Sequence, residues 1–97
     1  MAYQFGSLDA SLAAAIGDDA SLIAELRGAL INNANEHADL LSRARCDANW
    51  TVAAHRLQGL AASYGAPQLQ AAADLALAGA PGDPVALRKV RRAIESL

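Results

Sequence analysis

The side chains in this chain best suited to nucleophilic or metal-binding work are two histidines, His37 and His55, and one cysteine, Cys46. Near neutral pH a histidine is largely uncharged, and a ring nitrogen can attack an electrophile or bind a metal ion. A metal site needs several donors at fixed spacing, and a lone cysteine with two distant histidines gives no such set. No nucleophile, base and orienter triad is visible, and no glycine-rich loop of the kind that cradles phosphate, so an autonomous enzyme is not expected. The chemistry left is that of a single imidazole. Whether it can act depends on how the chain presents it.

The presenting elements are helices. Ninety-seven residues make one domain, spanning 1–97, with room for a single core. The chain is 54% hydrophobic but only 4% aromatic, and much of the excess is alanine, the best helix former. β-Branched residues are few and no window alternates apolar with polar positions, which argues against a sheet. Breakers at Gly17-Asp18-Asp19, Cys46-Asp47-Ala48-Asn49, Gly65-Ala66-Pro67 and Gly79–Pro84 separate five helical stretches.

The first stretch, about Ser7 to Ile16, is short, with Leu8, Leu12 and Ile16 in register. The second, about Asp19 to Arg45, carries a stripe of Leu22, Leu26, Leu30, Asn33, His37, Leu40, Leu41 and Ala44, with Arg43 and Arg45 in its last turn. The third runs from Asn49, a plausible N-cap, to Tyr64, where Gly65 supplies a left-handed stop. The fourth, about Pro67 to Ala78, packs through Leu69, Ala72, Ala73 and Ala76. The fifth, about Pro84 to Leu97, packs through Leu87, Val90, Ile94 and Leu97. Short connections between amphipathic helices make antiparallel neighbours. The expected fold is therefore all-α, an antiparallel up-down-up-down four-helix bundle with a short extra N-terminal helix.

Turning the third helix by about 100° per residue gathers Trp50, Ala53, Leu57, Leu60, Ala61 and Tyr64 on one face. The opposite face holds Thr51, His55, Gln58, Gly59 and Ala62, flanked by Arg56 and Ser63. His55 is thus expected to face solvent. Gly59, one turn on, costs about 1 kcal/mol relative to alanine in a helix interior. In an alanine-rich chain that choice suggests clearance, so that a partner can approach the imidazole unobstructed.

The segment His55-Arg56-Leu57-Gln58-Gly59-Leu60-Ala61-Ala62-Ser63-Tyr64-Gly65-Ala66 resembles the motif of the histidine phosphotransfer (HPt) family of two-component phosphorelays. That motif reads His-x-Leu-Lys-Gly, then small residues, then Gly-Ala. Ile16-Gly17-Asp18-Asp19 with Leu22 and Leu26, Asp47 and Trp50 before the histidine, and Leu69 after Gly65 extend the likeness along the chain. The resemblance implies a phosphocarrier that shuttles a phosphoryl group between aspartates of response-regulator receiver domains, with His55 phosphorylated. Thr51, Arg56, Gln58, Gly59 and Ala62 would form the binding surface. The implied partners are a receiver domain, a hybrid histidine kinase, or both. No cofactor of the chain's own is implied, and magnesium is expected on the receiver. Gln58 stands where the family has lysine and offers an amide dipole in place of a charge. An alternative is therefore a relative that binds a receiver or kinase without phosphotransfer.

A helix-turn-helix reading of Leu60–Leu69 makes Pro67 to Ala78 a recognition helix. That stretch has no lysine or arginine and one aspartate, Asp74, which opposes DNA binding. The basic run Arg88, Lys89, Arg91 and Arg92 suits a solvated face near a helix C-terminus. His37 is expected at a boundary, satisfied by a hydrogen bond or water. A net charge of −2 draws the chain to neither nucleic acid nor anionic lipid. No run is long and apolar enough to span a bilayer, and Met1–Gly6 lacks the basic and apolar regions of a secretory signal. One cysteine precludes an internal disulfide and fits a reducing compartment. A cytoplasmic monomer is the expectation.

Overall fold

The computed structural model describes residues 7–97, so the reading of Met1–Gly6 lies outside the described residues. Five helices follow in order: α1 (Ser7–Ile16), α2 (Ala20–Arg43), α3 (Asp47–Tyr64), α4 (Pro67–Ala78) and α5 (Pro84–Glu95). Among the described residues there is no strand. The all-α expectation holds. Helix α3 packs on α2 and α4, α5 packs on α4 and α2, and α1 lies against α2 and α3.

Local chemistry sets the helix ends. Asp19 caps α2, its carboxylate accepting from the Leu22 N–H at 3.1 Å. Asp83 caps α5, accepting from the N–H groups of Val85 and Ala86, and Pro84 opens the first turn. Gly65 ends α3 in the left-handed region (φ 68°, ψ 47°), and Ala66 N–H reaches back to the Ala61 carbonyl at 2.9 Å. Three ends depart from expectation. Helix α2 stops at Arg43, because Ala44 turns to extended backbone and buries its methyl, which leaves Arg45 outside the last turn. Helix α3 begins at Asp47, not Asn49. The extended residue before it is Cys46, and Asp47 places its charge in the first turn, where the helix dipole favours it. Helix α5 ends at Glu95, with Ser96 as its cap.

The core is mostly alanine with a few large side chains at its centre: Trp50, Leu41, Leu57, Leu69 and Val90. Small residues let helix axes approach closely, and the large ones fill what remains. On α2 the buried line is Leu30, Ala34, Ala38 and Leu41. Leu22 and Leu40, placed on the stripe by spacing, are 39% and 44% exposed, and Asn33 is exposed too. The first turns of α2 join a second, smaller cluster of Leu8, Leu12 and Leu30, with Ile23, Leu26, Leu60, Tyr64 and Leu97 at its edge. Asp9 is buried in that region and pairs with Arg27.

Candidate functional site

The rotation of α3 is fixed before any site chemistry is considered. Trp50, Ala53, Ala54, Leu57 and Ala61 are all buried. Trp50 also donates its indole N–H to the Ala76 carbonyl in the last turn of α4 at 2.7 Å, which satisfies a polar atom that burial would otherwise leave unpaired. With that face committed, Thr51, His55, Arg56, Gly59, Ala62 and Ser63 are exposed, and Gln58 is half-buried at the edge toward α4. His55 stands in mid-helix with its ring in solvent, as the wheel predicts.

The imidazole is not free. His55 Nδ1 lies 3.3 Å from Gln58 Oε1, one turn along. The amide nitrogen of Gln58 in turn donates to Asp74 Oδ1 on α4 at 2.6 Å. Asp74 therefore belongs to the site, although sequence reasoning used it only as an argument against DNA binding. A signal for it existed: Asp74 is the single charged residue of α4, and Gln58 and Asp74 lie eight positions either side of Ala66. In an antiparallel pair turning at Gly65-Ala66, such positions meet.

Gly59 offers open ground beside the ring, since a methyl group there would meet nothing within 4 Å. Thr51, His55, Gly59 and Ala62 form one exposed strip along α3. Arg56 lies on the other flank, lining a groove between α2 and α3 with Leu40, Arg43 and Val52. It sits toward α2, while Gln58 leans toward α4, so the two flank His55 from opposite sides. Val52, 51% exposed one turn before His55, adds an apolar contact surface that the sequence reading passed over. An apolar residue on an otherwise polar face was its signal.

His37 is half-buried on α2, at the expected boundary, and its Nδ1 has no hydrogen-bond partner among the described residues. Among the described residues no group of three His, Cys, Asp or Glu side chains could hold a metal ion. No described helix is long and apolar enough to cross a membrane. The basic run lies along α5, with Arg88, Lys89, Arg91 and Arg92 all exposed. Compared with protein families, characterised proteins and solved structures, the chain matches none of them.

Proposed function

We propose that this chain is a histidine phosphotransfer protein and that His55 is its phosphoacceptor. The observation that carries the reading is an exposed mid-helix histidine whose Nδ1 is engaged by Gln58 while open ground lies beside it at Gly59. The resemblance of the segment from His55 to Ala66 to the HPt motif supports it. So does the ring of contacts through α2, α3, α4 and α5, which fits an antiparallel up-down-up-down four-helix bundle carrying α1 at one end.

In this function the Nε2 lone pair attacks the phosphorus of an aspartyl phosphate on a receiver domain. The N–P bond forms as the P–O bond breaks, and the electron pair leaves on the receiver's carboxylate. The reverse step discharges the group to a second receiver. The chain's own part is to hold the imidazole at solvent and leave its approach clear, while the receiver contributes magnesium and the acidic pocket. Thr51, Arg56, Gln58, Gly59 and Ala62, with Val52 beside them, would form the footprint of a receiver or a hybrid histidine kinase. The expected setting is a cytoplasmic monomer.

The test is incubation with a phosphorylated receiver domain. Acid-labile, base-stable label is expected on the chain, and it should be absent from His55→Gln and His55→Ala. Label retained in those variants, or mapping to His37, would overturn the assignment. A second reading, binding of a receiver without transfer, is favoured by one feature: Gln58 carries no charge where the family has lysine. Binding of a receiver with no label under any donor would select it.

A further inference from the structure

We infer that Asp74 is a positioning residue which acts through Gln58 to hold His55 in its Nδ1-protonated tautomer, leaving Nε2 as the bare nucleophile. The inference rests on the phosphoacceptor reading but turns on Asp74, a group that the reading does not use. Its premise is the polarity of a three-member chain. A carboxylate accepts hydrogen bonds and donates none, so the 2.6 Å contact with Asp74 requires the amide NH2 of Gln58 to face α4. The opposite amide orientation would set two oxygens against each other at that distance. With its nitrogen committed to Asp74, Gln58 turns Oε1 toward His55 Nδ1, 3.3 Å away. An amide oxygen has no proton to give, so the ring must supply one from Nδ1. In neutral imidazole only one nitrogen carries a proton, and the hydrogen bond made by one nitrogen decides the state of the other. Nε2 is then the atom with the free lone pair.

The arrangement also suits both sides of the transfer step. When Nε2 forms its bond to phosphorus and the receiver's carboxylate departs with the P–O electron pair, no proton has to leave the attacking nitrogen. The Nδ1 proton stays where it is, and positive charge developing on the ring is met by the Gln58 oxygen, itself polarised by Asp74. A lysine at position 58 could donate to a phosphoryl oxygen but could not accept from Nδ1. By this account Gln58 serves a task different from that of the family's lysine.

The experiment uses the full chain labelled with nitrogen-15 at mildly alkaline pH, with His55→Gln identifying which of the two histidines gives each signal. Correlation of the ring nitrogens with the carbon-bound protons is expected to show Nδ1 protonated and Nε2 unprotonated in His55. Asp74→Asn preserves shape but lets position 74 donate, so the Gln58 amide can reverse, and both ring nitrogens should move toward averaged values. Phosphorylation by phosphoramidate, which needs no receiver, should slow about two- to fivefold in Asp74→Asn and in Gln58→Leu, as befits an exposed interaction. The double variant should be no slower than the slower single one, because Asp74 acts only through Gln58. A protonated Nε2 in the unmodified chain would overturn the proposal. So would ring shifts and rates unchanged by Asp74→Asn, or losses that multiply in the double variant. Failure to take label from receivers would count against the phosphoacceptor reading alone, because the tautomer is measured without a partner.

Discussion

At the scale of residues, the exposed face of α3 carries positions that the fold itself does not need. Gly59 has nothing within 4 Å of where a side chain would begin, so folding does not require it to be glycine. Gly59→Ala should leave the chain as stable or raise its stability by up to about 1 kcal/mol in thermal unfolding. Gly59→Leu should keep the fold and weaken receiver binding, read by calorimetric titration. A Gly59→Leu chain that unfolds would mean that a neighbouring helix covers the site. Gln58 makes a subtler case. From sequence alone, Gln58→Lys should lengthen the life of the phosphohistidine several-fold by adding charge. The structure places Asp74 against that position, so the introduced ammonium is drawn to the carboxylate and little of its charge is left for the phosphoryl group. Gln58→Lys alone is therefore expected to change the hydrolysis half-life less than about twofold, and Gln58→Lys with Asp74→Asn to lengthen it several-fold. The outward placement of His55 was legible because one helix's periodicity is local. The tie from Gln58 to Asp74 was not read, because it depends on the register between two helices.

At the scale of elements, the turn between α3 and α4 sets that register. Gly65 has φ 68°, and a side chain on it would meet the Ser11 Cβ of α1 at 2.9 Å and its hydroxyl at 2.7 Å. The Ser11 hydroxyl in turn donates to the Gly65 carbonyl at 3.4 Å, so α1 leans directly on the turn. Left-handed backbone costs a non-glycine residue about 1–2 kcal/mol before any clash is counted. Gly65→Ala should therefore lower the melting temperature by roughly 5–15 °C. Because the turn aligns Gln58 with Asp74, the same substitution should also disturb the His55 ring signals. The existence of the five helices was legible in breakers and caps, since Asp19, Asp83, Pro67, Pro84 and Gly65 act within a turn of their own position. The exact start of α3 was not, because Asn49 and Asp47 both suit a helix entry. The backbone at Cys46 decides between them. Nor did spacing reveal that Leu22 and Leu40 stay exposed, since which part of a long helix finds a partner depends on where its neighbours end.

At the scale of the whole molecule, a long α2 and an alanine-lined interior give a body of 42 × 23 × 15 Å with a radius of gyration of 13.8 Å. A rounder chain of this length would come nearer about 12.5 Å. Twenty-four residues of α2 rise roughly 36 Å, so that helix alone accounts for most of the long axis. The interior that α2, α3 and α4 share is lined by Ala34, Ala38, Ala53, Ala54, Ala61, Ala72, Ala73 and Ala76, where larger side chains would hold helices apart. This makes two adjacent positions on α3 opposites in their tolerance. Ala54 is fully buried, and His55 beside it is exposed. Adding three carbons in Ala54→Leu should force neighbouring helices outward and cost about 1–3 kcal/mol, a drop in melting temperature of several degrees or more. His55→Gln removes no packed surface, so its melting temperature should stay within about 2 °C of the parent. Paired thermal melts and receiver labelling would separate the two effects: Ala54→Leu should be less stable yet still take label while folded, and His55→Gln should be as stable yet take none. If Ala54→Leu proved neutral, the interior would have slack that close-packed alanines do not allow. If His55→Gln melted markedly lower, the histidine would be holding the structure together, and the outward face of α3 would have to be reassigned.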